Sequence, residues 1–230
     1  MSHYYSAAIS AFTASLIVLF LTAALYFVVE PSASHSAAPV ERSFTITQEI
    51  TGAIAFETDP QDITMNGSID GVTGGSATGT TYTVVSTNNG TGYNLAIRFF
   101  DNGSDEAMLG DVTGSDAIRD YDDTGEPTYE FNGSSSALFG YTVSASTSGD
   151  LDNSFKSSGG FCNQSSGFNA DQCWKGPTGS DFTVYDSSGP ALDGSTTSFK
   201  FVVRVPNGPD PALSAETYTA TATLTATVNP

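Results

Sequence analysis

The most regular alternation of polar and apolar residues in the chain lies between Thr217 and Val228. Every odd-numbered residue in this range is Thr, and the even-numbered residues are Tyr218, Ala220, Ala222, Leu224, Ala226 and Val228. Alternation with a period of two places one chemistry on each face of an extended strand, and the β-branched threonines favour that backbone. The sequence therefore predicts one amphipathic strand of roughly 40 Å, at about 3.3 Å per residue, whose apolar face needs a second layer.

Weaker alternation predicts further strands upstream. The first covers residues 44–56, where one face carries Phe44, Ile46, Ile50, Ile54 and Phe56. The others are a less regular extended segment at 63–69 and strands at 82–87, 93–99, 128–131, 139–145, 182–185 and 199–205. Because N-N-G-T-G separates 82–87 from 93–99, these two strands are predicted to form a hairpin. The glycine-rich stretch 71–79 precedes a strand rather than a helix, which favours a turn over a phosphate-binding loop.

Eight or nine short strands with turns between them, and no helix predicted after residue 29, indicate an all-β fold. We expect a single antiparallel β-sandwich of the Ig-like or pilin-like type. No second change in composition interrupts residues 43–230. We therefore expect one extracellular domain over this range.

The N-terminal part of the chain predicts a transmembrane helix. Residues 7–29 carry no charge, and a helix of this length spans about 34 Å, against about 30 Å for a hydrocarbon core. We interpret residues 1–29 as an uncleaved signal-anchor, followed by a Ser/Ala/Pro linker at 30–42. The alternative is a signal peptide cleaved between Ser32 and Ala38, which would release a secreted protein. Against that alternative, residues 1–6 lack the Lys or Arg of a secretory n-region.

The charge of the chain limits its partners. Asp and Glu number 25 against 7 Lys and Arg, and the net charge is −18. Nucleic acid and anionic membrane surfaces are disfavoured because phosphate binding needs a basic stripe. The acidity is explained either by a solvated, repulsive surface or by multivalent cation binding.

The residue types available argue against an enzyme. His3 and His35 both lie outside residues 43–230, which removes Ser-His-Asp and Cys-His arrangements from the domain. Cys162 and Cys173 are the only cysteines and cannot alone close a tetrahedral zinc site. In an exported domain they are expected to form a disulfide. No carboxylate pair is singled out, and no cofactor is predicted beyond calcium.

An acidic segment provides one candidate metal site. Residues 101–130 hold ten acids and one base, Arg119. Within it, D-Y-D-D-T-G-E offers hard oxygen ligands around a glycine, as calcium prefers. The candidate ligands are Asp120, Asp122, Asp123 and Glu126. The segment is not an EF-hand loop, because Phe131 stands where the bidentate Glu should be, and a solvated acidic loop is the alternative.

Five Asn-x-Ser/Thr sequons are candidate N-glycosylation sites, at Asn66, Asn89, Asn102, Asn132 and Asn163. Four of them read Asn-Gly-Ser/Thr, which is also ordinary turn chemistry. Either interpretation places these segments on the surface.

Several motifs occur in an order that resembles a protein family. They are FTITQEITGAIAF at 44–56, DITM at 62–65, GVTGGSATG at 71–79, TNNGTGYN at 87–94, CW at 173–174 and ETYTATATLTAT at 216–227. The series resembles an uncharacterised family of exported, cell-surface all-β proteins from small-genome bacterial lineages. The resemblance implies export and an all-β fold, and it carries no activity.

Together these observations favour a non-enzymatic, membrane-anchored cell-surface protein with a structural or adhesive role. We expect a single pass through the cell membrane with the domain outside. One alternative is a pilin-like filament subunit, whose apolar helix would pack in a filament core. Another is a module that binds a cell-surface glycan or protein through loop aromatics, for which the candidates are Tyr121, Phe161, Phe168 and Trp174.

We predict that calcium raises the melting temperature beyond a sodium control of matched ionic strength. Screening of carboxylates depends on ionic strength, whereas ligation stabilises by RT ln(1 + [L]/Kd), about 1.4 kcal/mol for millimolar calcium over a site of about 0.1 mM. Asp120→Asn combined with Asp122→Asn should remove the difference. Equal melting curves in calcium and matched sodium would leave only the solvated loop.

Overall fold

The structure is a computed structural model that describes residues 2–29, 41–100, 106–112, 116–121 and 127–230. The chain divides into two compact units, Met1–Glu49 and Ile50–Pro230. The second unit begins at Ile50, seven residues after the start expected for the domain.

The first unit contains one helix, α1 (Ser2–Val29). Within the residues described, no helix is long and apolar enough to cross a membrane, so the transmembrane anchor predicted over residues 1–29 is not supported. The segment 41–49 has no regular secondary structure, and its Phe44 and Ile46 side chains are exposed.

Strands are the main regular secondary structure in the described part of the second unit. They are β1 (Ile54–Thr58), β2 (Ile69–Asp70), β3 (Gly74–Thr87), β4 (Tyr93–Phe99), β5 (Met108–Gly110), β6 (Ala117–Asp120), β7 (Leu138–Ala145), β8 (Phe182–Ser187), β9 (Ala191–Val205), β10 (Tyr218–Ala220) and β11 (Ala222–Val228). The first sheet has the order β1-β3-β9-β7-β6-β5-β10, with β2 also paired to β3. The second sheet has the order β11-β4-β8. The all-β prediction is confirmed.

Two pairings differ from the sequence prediction. Strands β3 and β4 flank the N-N-G-T-G turn as expected, but they lie in different sheets and do not form a hairpin. A Cβ at Gly92 would lie 1.9 Å from the Ser187 carbonyl oxygen, and its φ of +83° favours glycine. The Asn89 side-chain amide donates to the carbonyls of Gly92 and Asn229, at 2.9 and 2.8 Å. The turn thus carries the chain from one sheet to the other.

The long strand predicted at 217–228 is broken into two. β10 pairs with β5 in the first sheet, and β11 pairs with β4 in the second. Between them the Thr221 carbonyl accepts a hydrogen bond from the Phe100 N–H at 2.8 Å. The sequence pattern does not reveal this corner, because threonine and apolar residues keep alternating across Thr221 without interruption.

Other strands also shift. The strand expected at 44–56 begins only at Ile54, and the turn expected at 71–79 is partly strand, since β3 starts at Gly74. The segment at 63–69 reduces to β2 and one bridge, and 128–131 makes only the bridge between Thr128 and Trp174. Strands β5 and β6 were not predicted. β6 also runs parallel to β7, so the fold is not purely antiparallel.

The inward faces of β4, β7 and β9 supply the main core. Their buried side chains form one apolar cluster that includes Tyr93, Leu95, Ile97, Phe99, Phe139, Tyr141, Val143, Phe199, Val203 and Val205. Burying a large apolar side chain stabilises the folded state by about 1.5–3 kcal/mol relative to exposure. This cluster contains residues of both sheets and is the main core of the second unit.

A smaller cluster packs beside the disulfide. Tyr121, Leu138, Trp174 and Val202 are buried together, with the Phe131 ring stacked at 4.3 Å on Tyr121. Cys162 and Cys173 form the predicted disulfide, with an S–S distance of 2.07 Å and Cα atoms 5.6 Å apart.

We predict that Cys162→Ser with Cys173→Ser lowers the free energy of unfolding by roughly 3 kcal/mol, because the crosslink restricts the unfolded chain over a short loop. Denaturant unfolding of the variant and of the reduced wild type should give similar midpoints, which separates loss of the crosslink from the serine hydroxyls. Ser165→Ala with Ser166→Ala alters the same loop without the crosslink and should unfold like wild type. An unchanged midpoint after reduction would contradict this account.

Candidate functional site

An open apolar groove lies between the two sheets of the second unit. Its volume is about 930 Å³. Apolar side chains that line it include Ile63, Met65, Ile69, Ile97, Phe99, Met108, Ile118, Phe139, Phe199, Phe201, Val203, Val205, Leu213 and Leu224. We call this feature the apolar groove.

One rim of the groove is formed by residues 60–72, which run along β3. The backbone N–H groups of Asn66 and Thr78 donate to each other's carbonyls at 2.7 and 2.9 Å. Gln61 N–H also donates to the Thr81 hydroxyl at 2.9 Å. A Cβ at Gly79 would lie only 2.4 Å from Ile63 Cγ2. Glycine at this position therefore lets the rim pack directly on β3.

The opposite rim is formed by residues 212–220. Val112 N–H donates to Glu216 Oε2 at 2.6 Å, and the Tyr218 hydroxyl donates to the Ser214 carbonyl at 3.0 Å. Burial, followed by the nearby Asp116 and Glu216 carboxylates, raises the pKa of the Tyr218 hydroxyl. These contacts hold the rim to β5 and β10 and place polar groups at the mouth of the groove.

The chemistry of the groove suits binding. Its volume falls within the range of known ligand pockets, about 300–1,000 Å³, and its inner wall is made of aliphatic and aromatic side chains. Such a wall excludes water and favours an apolar occupant. Among the residues that the structure describes, no cluster of three or more His, Cys, Asp or Glu could hold a metal ion.

The calcium candidates fall mostly outside the described residues. Asp122, Asp123 and Glu126 lie there, so only Asp120 can be placed. Asp120 ends β6, and its carboxylate accepts from the Ala107 N–H at 3.0 Å. The Asp120 N–H in turn donates to the Glu106 carboxylate. Calcium binding stays a prediction.

The sequons differ in their surroundings. Asn66, Asn132 and Asn163 are exposed, and Asn102 lies outside the described residues. Asn89 is half-buried, and its amide nitrogen donates to Thr91 as well as to the two carbonyls already described. These contacts favour a structural role in the turn for Asn89. N-glycosylation of the other four asparagines stays a prediction.

The loop aromatics do not form an exposed platform. Tyr121 and Trp174 are buried in the smaller cluster, and Phe168 packs against the main core. Phe161 alone of these four is largely exposed, at 71%. These four aromatic side chains therefore do not form a shared exposed surface on which a glycan could stack.

A group of buried hydroxyls is formed by residues of β4, β8 and β9. The Tyr185 hydroxyl lies 2.8 Å from Ser195 Oγ and donates to Asp150 Oδ2 at 3.1 Å. The Tyr93 and Tyr185 rings are 5.5 Å apart. Burial raises the pKa of Tyr93 to about 12 and also raises that of Tyr185. Both hydroxyls are thus held neutral, which suits a core position.

Sequence reasoning missed the groove. It identified 63–69 as an extended segment, and the groove forms because this segment stands on β3 while β10 and β11 turn away at Thr221. One local feature of the sequence could have indicated the groove. Ile63, Met65 and Leu213 are apolar residues that lie outside the strands.

No protein-family model matches the chain, and no curated protein matches it either. The function of the second unit must therefore be inferred from its own geometry.

We predict that Tyr93→Phe flattens the alkaline loss of stability. The folded pKa of Tyr93 is raised above its unfolded value of 10.0 to about 12, so the stability linked to its neutral form is complete below pH 10 and is lost as pH rises through the folded pKa. Melting temperatures measured from pH 9 to 12 should fall less steeply in this variant. Tyr82→Phe, at an exposed position, should follow the wild-type curve. Parallel curves for Tyr93→Phe and wild type would refute the linkage.

Proposed function

We propose that this is a non-enzymatic structural or adhesive β-sandwich protein that works outside the reducing cytosol. Its working surface is the apolar groove, which takes an extended apolar segment of a partner. The groove is the single observation that carries the proposal, because folded domains rarely leave a cavity of this size open inside the core.

The form of the groove supports an extended occupant. Two sheets wall it, and its rims are the segments 60–72 and 212–220. An extended chain could meet apolar side chains on one face while its backbone stays near strand edges. This is the mode in which peptides are bound by addition to a sheet.

The disulfide supports an oxidising location. Cys162 and Cys173 are bonded, and no other cysteine is present in the chain. Disulfides persist in secreted and surface proteins and are rare in the cytosol. The net charge of −18 also suits a protein that must stay soluble among copies of itself.

We predict that a neutral alkyl diazirine, photoactivated with dilute full-length chain in non-ionic detergent, labels the groove rims at 60–72 and 212–224. Peptide mapping separates this labelling from any at α1. Ala222→Trp should reduce labelling of both rims several-fold, because Ala222 lines the groove and the indole would occupy the part of it that lies between the rims.

Thr223→Trp provides the matched control. Thr223 neighbours Ala222 on β11 and does not line the groove, so the same indole should leave rim labelling close to wild type. Rims that are no more labelled than the outer threonines of β11 would overturn the proposed function.

A further inference from the structure

We infer that the groove is occupied by residues 43–50 of a second copy of this chain, added as a strand beside β11. The inference rests on the proposed function, since it names the partner of the same groove. It combines two features that the structure leaves unpartnered, one apolar segment and one strand edge.

The first feature is the segment itself. The side chains of Phe44, Ile46 and Ile50 are 83%, 84% and 82% exposed. Phe44 and Ile46 alternate with Thr45 and Thr47, as a strand buried on one face requires, and Gln48 separates them from Ile50 on the same face. Residues 41–53 take part in no strand of the described structure. Glu49 is the one charged residue among 43–50 and lies on the face opposite Phe44 and Ile46, so burial of that face in an apolar groove meets no penalty for a buried ion.

The second feature is the edge formed by β10 and β11. Within the described residues, β10 pairs only with β5 and β11 only with β4. Proteins protect open edges with charged residues, proline or bulges. Between Thr217 and Val228 there is no charged residue and no proline. β1 lies close to β11 without pairing to it, so the outer edge of β11 makes no strand ladder within the described residues, and the open part of the edge is at Ala222 and Leu224, which line the groove.

The segment and the edge match in pattern and length. On β11, Ala222 and Leu224 face the groove, while the intervening threonines are exposed. A strand with Phe44, Ile46 and Ile50 toward the groove would place its own threonines beside those of β11. Eight residues span about 26 Å at about 3.3 Å each, and the seven of β11 span about 23 Å.

Contacts at residues 51–53 favour a second copy over the segment's own groove. Ala53 N–H donates to Asn88 Oδ1 at 2.6 Å, and the Asn88 amide donates to the Thr51 carbonyl at 3.2 Å. The Thr87 hydroxyl donates to the Ala53 carbonyl at 2.7 Å. These side-chain bonds hold residues 51–53 beside Thr87 and Asn88, at the opposite end of β3 from the groove residue Ala77. To enter the groove of its own chain, the segment would therefore have to reverse its direction.

The exchange has a defined geometry. Each copy offers one segment and one groove, so the contact is heterologous and continues from copy to copy unless it closes into a ring. Because every copy carries a net charge of −18, association should strengthen with salt as repulsion is screened.

The test is a disulfide crosslink between two full-length preparations, one of them isotopically labelled. The native cysteines are bonded to each other, so engineered cysteines are the free thiols. We expect Thr45→Cys to crosslink to Thr223→Cys or Thr225→Cys after mild oxidation, and intact mass to show one labelled and one unlabelled copy. Thr183→Cys, on β8 at the other edge of the same sheet, is the matched control and should stay uncrosslinked.

A second pair of variants tests the apolar face. Ile46→Lys in the Thr45→Cys chain should lower crosslink yield about tenfold, because a Lys ammonium would enter an apolar wall. Thr47→Lys, on the polar face of the segment, should leave the yield near that of the parent. Equal yields for β8 and β11, or crosslinks found only within one chain when Thr45→Cys and Thr223→Cys are combined, would overturn the inference.

Diazirine labelling separates this failure from that of the proposed function. In wild type, rim labelling should fall as protein concentration rises, and in Ile46→Lys it should stay constant and high. Suppose that Ala222→Trp lowers rim labelling but protein concentration does not. This result would refute strand exchange and leave the groove as a binding site for another partner. No rim labelling in Ile46→Lys at any concentration refutes the groove itself.

Discussion

The packing of β4 against the first sheet is the contact on which the second unit depends. The Phe99 ring lies 5.3 Å from Tyr141, 6.1 Å from Phe139 and 6.4 Å from Phe201, so one side chain joins β4 to both β7 and β9. Aromatic pairs of this kind contribute about 0.5–1.5 kcal/mol beyond the area that they bury. Strands β8 and β11 pair with β4 on its two sides, and neither has another strand partner in the described residues. Loss of this contact would leave the whole second sheet without a layer to pack on.

The groove is a consequence of the same arrangement. Near Phe99 the sheets are in contact, and β10 and β11 connect them through the corner at Thr221. The segment 60–72 packs on β3 and forms one rim of the groove. Phe99 and Phe201 both line the groove, so the aromatic side chains that join the sheets also form part of its wall. An apolar wall of this kind favours any apolar chain that can enter.

Sequence patterns predicted the faces of strands well and their partners poorly. In β9, Ser195, Thr197 and Phe199 are buried at alternate positions, as a period of two predicts, whereas both faces of β7 are buried from Leu138 to Val143. The pairing of β3 with β9, and not with β4, accompanies the close approach of Gly92 to Ser187 and the hydrogen bond from the Asn89 amide to the Asn229 carbonyl. Such contacts join residues distant in sequence, and no local window contains them. The disulfide was predictable because two cysteines allow one pairing, whereas the groove required knowing that β10 and β11 separate at Thr221.

The pairing of β4 with β11 joins distant parts of the chain, with Leu95 opposite Ala226. Long-range pairs of this kind form slowly, because closing the intervening loop costs conformational entropy before any stabilising contact is made. During synthesis β4 emerges well before β11, so for that interval one of its edges has no native partner. The same delay makes crowding of nascent copies hazardous, since β4 of one chain can pair with β11 of another and domain-swap.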